Sequence, residues 1–159
     1  MLLTGSGWGK STAALGYALR ASSRGLQTTI IQFLKGGAWN EPEGQVLTRL
    51  GVNWPAQTQQ MTWGGEDLQR LADQAWADAR KALNSEEVGL VVLDEITRAV
   101  EYGLLPGAAV AGAIRERSAQ VSVIMTGRSA DEHLAEVADT LTNFELTKHD
   151  QWLGKPLAP

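Results

Sequence analysis

The amino-terminal residues combine glycine, lysine and hydroxyl side chains at a spacing that suits phosphate binding. The run LLTGSGWGKST, residues 2–12, is typical of an apolar strand, a glycine-rich loop and the first turn of a helix. Glycines let backbone N–H groups face an anion, Lys10 supplies a positive charge, and the Ser11 hydroxyl can contact a phosphate-bound Mg²⁺. The predicted polyphosphate site comprises Thr4, Gly5, Ser6, Gly7, Trp8, Gly9, Lys10, Ser11 and Thr12.

This loop departs from the usual phosphate-loop pattern at one position. In G-x-x-x-x-G-K-[ST] the first glycine would stand where this chain has Thr4, while Gly9, Lys10 and Ser11 match the end of the pattern. A glycine-rich turn that binds no ligand therefore stays open as an alternative. The order glycine, lysine, hydroxyl at a helix start favours phosphate binding over that alternative.

Two consecutive carboxylates end an apolar run in the middle of the chain. Residues 89–93 read GLVVL, and Asp94 and Glu95 follow directly. In a phosphate-loop fold such a strand ends beside the loop, where a carboxylate holds Mg²⁺ directly or through water. Because successive side chains on a strand alternate in direction, we expect Asp94 and Glu95 to have different roles. A solvated strand end is the alternative, which the preceding phosphate loop makes less favoured.

A third apolar run, residues 121–126, leads into Gly127 and Arg128. Ligands of open α/β sheets gather at the carboxyl edge of the strands, so Arg128 is a candidate nucleotide contact. Simple pairing of Arg128 with a nearby acid is the alternative. Downstream, Ser129 and Glu132 fit a capping box for the next helix. Lys148 and His149 carry no assignment on chemistry alone.

The elements that must position these residues alternate between strand and helix patterns. A mostly parallel central sheet flanked by helices is therefore expected, as in single-domain phosphate-loop NTP-binding (RecA-like) folds. The predicted elements are a helix over residues 10–23 closed by Gly25, a strand over 28–34, an irregular segment over 35–65 with a short helix near 45–50, and a helix over 66–83 with Trp76 in the core.

Composition narrows the class of protein. The chain has 159 residues, 43% of them apolar and 20% charged, which suits one domain spanning residues 1–159. It has no cysteine, so disulfides and thiolate chemistry are excluded. A net charge of -4 with dispersed basic residues argues against a nucleic-acid partner. No apolar run approaches the roughly 20 residues of a membrane span, so we expect a cytoplasmic protein without a membrane partner.

Taken together, these motifs resemble those of the P-loop ATP:corrinoid adenosyltransferases, and the likeness spans nearly the whole chain. That family also has threonine where ordinary phosphate loops begin with glycine, as at Thr4. The other matching segments are Gln32-Phe33-Leu34-Lys35-Gly36, Thr62-Trp63, Val92-Leu93-Asp94-Glu95, Leu105-Pro106, Thr126-Gly127-Arg128, Ala138-Asp139 and Lys148-His149.

The resemblance implies transfer of the 5'-deoxyadenosyl group of ATP to the cobalt(I) of a corrinoid, with release of triphosphate. Cobalt is then the nucleophile, so the protein needs no activated serine or cysteine. Lys10 would stabilise the charge that grows on the triphosphate. By the same resemblance Ser11 and Glu95 are the expected Mg²⁺ contacts, Asp94 supports them, and Arg128 positions the nucleotide.

The resemblance also implies an aromatic pair, spaced Phe-x-Trp, that presses on the lower face of the corrin and assists reduction of cobalt. Here the pair reads Met61-Thr62-Trp63, so Trp63 matches and a flexible methionine replaces the phenylalanine. Met61 and Trp63 are therefore candidate catalytic residues. The alternative for Trp63 is a loop anchor.

Family members carry a longer segment before the loop, whereas only three residues precede Thr4 here. We therefore expect the N-terminal extension to be absent or truncated. The resemblance further implies a homodimer and a separate reductant for cobalt. A non-catalytic ATP- or corrinoid-binding relative and a phosphate-loop ATPase are the alternative functions, and the motifs leave the natural corrinoid open.

Overall fold

The computed structural model describes residues 1–34, 42–55 and 65–148. These residues form five strands and six helices. In chain order they are β1 (Leu2–Thr4), α1 (Lys10–Ser22), β2 (Gln27–Gln32), α2 (Pro42–Arg49), α3 (Gly65–Leu83), β3 (Val88–Asp94), α4 (Ile96–Glu101), α5 (Gly107–Arg115), β4 (Ser122–Thr126), α6 (Glu132–Val137) and β5 (Leu141–Asn143).

The five strands form one sheet in the order β2-β3-β4-β1-β5, and every neighbouring pair is parallel. The predicted α/β fold with a parallel central sheet flanked by helices is thus confirmed. Parallel strands all end at the same edge, so the last residues of β1, β3 and β4, which are Thr4, Asp94 and Thr126, lie at one edge. Strand β4 separates β1 from β3, so the glycine loop and the paired acids are not on adjacent strands.

Helices cover both faces of the sheet, which is why its strands are apolar in runs rather than in alternation. Val91 and Leu93 of β3 pack into a core that includes residues of α3, α4, α5 and α6. Leu90 and Val92 face the opposite side and pack with residues of α1 and α2. The sheet is therefore packed between two apolar layers, one on each face.

Most predicted elements are present, with shifted ends. Strand β2 ends at Gln32 rather than residue 34, because Leu34 has a positive φ of 57° and leaves the extended conformation. Helix α2 begins at Pro42 rather than near residue 45, which suits proline in a first helical turn. Trp76 is half-buried at the margin of the core. Helices α4 and α5 and strand β5 are short elements that sequence periodicity did not predict.

The predicted capping box at α6 is wrong. The helix begins at Glu132 and its N-cap is Asp131, whose Oδ1 accepts the backbone N–H groups of His133 at 3.0 Å and Leu134 at 3.2 Å. Ser129 stands too far before the helix to cap it, and its hydroxyl donates instead to Glu101 at 3.3 Å. A carboxylate at the N-cap is also favoured by the helix dipole.

Replacement of Asp131 by alanine is expected to lower the free energy of unfolding by about 1 kcal/mol, because two N–H groups lose their acceptor. Ser129→Ala is the matched control, since its exposed hydrogen bond contributes little. Urea unfolding of the two variants measures the difference. A larger loss of unfolding free energy in Ser129→Ala than in Asp131→Ala would instead support the capping box of Ser129 and Glu132.

Among the described helices, none is both long enough and apolar enough to cross a bilayer.

Candidate nucleotide site

The predicted phosphate-binding residues form a tight connection between β1 and α1. Strand β1 ends at Thr4, the glycine loop occupies residues 5–9, and α1 begins at Lys10. Thr4 is buried, whereas Ser6 and Trp8 in the loop and Thr12 in the first turn of α1 are exposed. The arrangement matches the sequence prediction of a loop that opens directly into a helix start, where free N–H groups favour an anion.

The segment after β5 forms the back wall of this loop. Phe144 donates its N–H to the Thr4 carbonyl at 2.7 Å, and Gly7 donates its N–H to the Phe144 carbonyl at 2.7 Å. A Cβ at Gly5 would overlap the Phe144 carbonyl oxygen, and one at Gly7 would lie 2.8 Å from the Phe144 carbonyl carbon. Glycine is therefore required at both positions by the wall. No motif in the sequence pointed to Phe144.

Lys10 folds back across the loop. Its Nζ donates to the carbonyl of Gly5 at 2.8 Å and to that of Gly7 at 2.6 Å. Burial lowers the pKa of Lys10, while the negative charge of Glu95 opposes this shift and the positive charge of Arg128 adds to it. The ammonium group therefore lies close to the loop backbone and within electrostatic reach of the other predicted charged residues.

Asp94, at the end of β3, accepts hydrogen bonds from three strands or helices. Its Oδ1 accepts the Ser11 hydroxyl at 2.8 Å and the Thr126 hydroxyl at 2.7 Å, and its Oδ2 accepts Gln32 Nε2 at 3.1 Å. Asp94 is itself buried. Ser11 thus joins α1 to β3 across the intervening strand, while Gln32 and Thr126 are site residues that sequence reasoning did not assign.

Glu95 lies just beyond the end of β3, so its environment differs from that of Asp94 for a reason other than the predicted alternation of strand side chains. It adopts a left-handed backbone conformation (φ 61°, ψ 22°) and is the N-cap residue of α4. Its Oε2 is buried and has no hydrogen-bond partner among the described residues, and Arg98 Nε lies 3.9 Å away. A buried carboxylate oxygen without a hydrogen bond is costly unless a ligand or ion completes it.

The site offers oxygen ligands that fit Mg²⁺. The Ser11 hydroxyl gives its proton to Asp94, so its oxygen lone pairs stay available, and Glu95 supplies the buried Oε2. Within the described ranges there is no cluster of three or more Asp, Glu or His side chains able to hold a metal. A few protein oxygens of this kind suit Mg²⁺, which keeps water and phosphate oxygens among its ligands.

Arg128 follows β4 at the same edge. Its carbonyl accepts the N–H of Gly5 at 3.2 Å, which ties the end of β4 to the glycine loop. The side chain is exposed and, over the ranges that the structure describes, the guanidinium forms no ion pair with an acid. The structure therefore brings Lys10, Ser11, Asp94, Glu95 and Arg128 to one edge of the sheet.

Several predicted residues lie outside the described residues. These are Met61, Thr62 and Trp63 of the predicted corrin-facing segment, Lys35 and Gly36, and His149.

Comparison with known proteins identifies relatives over most of the chain. The family described as ATP:corrinoid adenosyltransferase BtuR/CobO/CobP matches residues 1–156. The corrinoid adenosyltransferase of Escherichia coli K12 is 34% identical over 94% of this chain and 77% of its own length. The corrinoid adenosyltransferase of Pseudomonas aeruginosa is 37% identical over 92% of this chain and 74% of its own length. Corrinoid adenosyltransferase CobA of Salmonella typhimurium is 35% identical over 94% and 77%. The chain therefore belongs to the ATP:corrinoid adenosyltransferase BtuR/CobO/CobP family, a family of transferase enzymes.

Proposed function

We propose that this chain transfers the 5'-deoxyadenosyl group of ATP to the cobalt(I) centre of a corrinoid and releases triphosphate. The cobalt(I) electron pair attacks the 5'-carbon, a cobalt–carbon bond forms, and the carbon–oxygen bond breaks with its electrons moving to the triphosphate. The observation that carries this proposal is the meeting of the glycine loop, Lys10, the paired acids and Arg128 at one sheet edge, in a chain of this family.

The proposed chemistry asks the protein to stabilise a leaving group rather than to activate a nucleophile. Negative charge grows on the triphosphate as the carbon–oxygen bond breaks, and the Lys10 ammonium group lies against the loop backbone, where it can stabilise that charge. The Gly7 N–H is already donated to Phe144, so we expect the phosphate contacts to come from other N–H groups of the loop and helix start. Arg128, exposed at the rim, would hold the nucleotide in line with cobalt.

Ser11 and Glu95 are the residues we propose to hold Mg²⁺, with Asp94 supporting Ser11 through its hydrogen bond. When bound there, Mg²⁺ supplies positive charge against the triphosphate oxygens. The protein's own part is to keep the Ser11 oxygen and Glu95 Oε2 facing the ligand.

Met61 and Trp63 remain proposed contacts to the lower face of the corrin. A homodimer, a separate reductant for cobalt and a cytoplasmic location likewise remain proposals, supported by the family resemblance and, for location, by the composition.

The proposal is tested by anaerobic incubation with MgATP and chemically reduced cob(I)alamin. The cobalt spectrum follows formation of the adenosylated corrinoid, and triphosphate is assayed separately from free phosphate. Adenosylcobalamin with equimolar triphosphate is the expected result. Phosphate release that needs no corrinoid would indicate an ATPase instead of a transferase. ATP binding without either product would indicate a non-catalytic relative. Starting instead from cobalt(II) with a reductant tests the proposed role of the corrin-facing pair.

Glu95→Gln is expected to raise the Mg²⁺ concentration for half-maximal transfer at least about tenfold, because an uncharged amide is a weaker ligand than the carboxylate oxygen. Glu101→Gln, on the same helix α4 but exposed, is the control and keeps the parent requirement. Initial rates at saturating ATP across a Mg²⁺ series measure both. An unchanged requirement in Glu95→Gln would move the ligand role to Asp94 or to water.

A further inference from the structure

We propose that Thr126 is a positioning residue for the Mg²⁺ site. Its hydroxyl holds the Asp94 side chain and the Glu95 backbone in place, and thereby orients the two proposed Mg²⁺ contacts, Ser11 and Glu95. This inference rests on the proposed function, because it concerns the metal contacts of the same nucleotide site.

Thr126 lies in the sheet between the strand that leads to the glycine loop and the strand that ends in the two acids. Strand β4 lies between β1 and β3, with Thr126 paired to Leu3 of β1 and the preceding Met125 paired to Leu93 of β3. Thr126 therefore ends the strand that separates the glycine loop from the acids. Its side chain is fully buried, so water does not compete for its hydroxyl.

The hydroxyl of Thr126 contacts both acids at once. It donates its single proton to Asp94 Oδ1 at 2.7 Å, and its oxygen accepts the backbone N–H of Glu95 at 2.9 Å. The direction of each bond is set by chemistry, because an ionised carboxylate can only accept and a backbone N–H can only donate. Thr126 thus holds the side chain of one acid and the backbone of the next.

The bond to Glu95 supports an unusual backbone. A non-glycine residue with φ of 61° persists only where its surroundings hold it, and the Thr126 oxygen is the acceptor that its N–H has. This conformation turns the chain from β3 into α4, and Glu95 Oε2 is then buried without a hydrogen bond to any residue that the structure describes. Without this acceptor the turn would relax, and Glu95 Oε2 would no longer be held in its position.

The bond to Asp94 supports Ser11. Asp94 Oδ1 accepts both the Thr126 and the Ser11 hydroxyl protons, so the three groups form one short chain of hydrogen bonds. Since the Ser11 hydroxyl donates its proton to Asp94, the lone pairs of its oxygen stay available to a metal ion. Thr126 therefore acts on both proposed metal contacts, although it contacts neither metal nor substrate itself.

Thr126→Val tests this by removing the hydroxyl at nearly constant shape. Calorimetric titration with ATP is performed twice on each variant, once with EDTA and once with excess Mn²⁺ as the metal probe. The metal gain is the ratio of the ATP affinity with Mn²⁺ to the ATP affinity in EDTA. We expect this gain to be at least about tenfold smaller in Thr126→Val than in the parent chain, while the ATP affinity in EDTA stays at the parent value. Thr126→Ser, which keeps the hydroxyl, is expected to retain the gain.

Thr28→Val is the matched control, because Thr28 is another buried threonine of the sheet whose hydroxyl donates to a backbone carbonyl, that of Leu26, at the opposite end of β2. It should bind like the parent chain. If Thr126→Val does not fold, Thr126→Ala repeats the comparison without adding a methyl group.

Two results would overturn the inference. The first is an unchanged metal gain in the hydroxyl-free variant, which includes parallel losses with and without metal that indicate general loosening. The second is an equal loss of the gain in Thr126→Ser. The titrations need no corrinoid and no turnover. The two proposals can therefore fail separately. A parent chain that binds MnATP but fails the adenosyl-transfer assay would contradict the proposed function and would not contradict the role of Thr126.

Discussion

Replacement of Lys10 by alanine is expected to reduce the rate of adenosyl transfer at least about 100-fold, with the fold retained. Lys10 is the cation that reaches the glycine loop, where its Nζ contacts the Gly5 and Gly7 carbonyls. Charge develops on the triphosphate only as the bond breaks, so the loss should fall mainly on the rate constant for transfer and less on ATP binding. Single-turnover kinetics with preformed cob(I)alamin measures that rate directly.

Lys81→Ala is the control, since Lys81 lies on α3 with its side chain 81% exposed and contacts only Asp78 among the described residues. It should transfer at the parent rate. Circular dichroism and urea unfolding establish that both variants keep the fold. Near-parent turnover in Lys10→Ala would refute the proposed role of the lysine, whatever its effect on ATP affinity.

Gly5→Ala is expected to lower the free energy of unfolding by about 3 kcal/mol, the second large effect. Two costs add at this position. Its φ of 105° lies in a region that side chains disfavour, and a Cβ would overlap the Phe144 carbonyl oxygen and approach Asn143 Oδ1 to 2.5 Å. The contacted atoms include backbone of the wall behind the loop, which cannot rotate away. Urea unfolding measures the loss, and ATP binding should fall with it.

Gly16→Ala is the matched control with the opposite sign. Gly16 lies within α1, and a Cβ there would meet no atom of the described residues within 4 Å. Alanine at this position should raise the free energy of unfolding by about 0.5–1 kcal/mol, because it restricts the unfolded chain and favours helix. Equal effects of the two substitutions would mean that the residues 143–145 do not pack behind the loop as described.

Local patterns in the sequence carry the main elements around the site. The glycine loop followed by a helix, the strand that ends in Asp94 and Glu95, and the strand that leads to Arg128 were all predicted from residues within a few positions of one another. Such features depend on local backbone preference and on apolar runs, which a sequence displays directly. Helix α3, with its long apolar stripe, was predicted within one residue of its start.

Short elements and their caps were harder to predict from the sequence. Strand β5 has three residues, all exposed, so it shows no apolar pattern and is formed by its pairing with β1. The cap of α6 depends on where the helix begins. Ser129 and Glu132 match a capping box by spacing, yet Asp131 holds the N–H groups.

The amino-acid sequence by itself determined the chemistry available to this protein: a glycine loop with Lys10 and Ser11, two acids in a row, and an arginine after a strand. The tertiary structure alone decided how these groups are used. Strand order places Thr126 between the loop and the acids, and the return of the chain after β5 places Phe144 behind the glycines. Both contacts join residues far apart in the chain, so they follow from packing of the whole sheet and leave no local trace in the sequence.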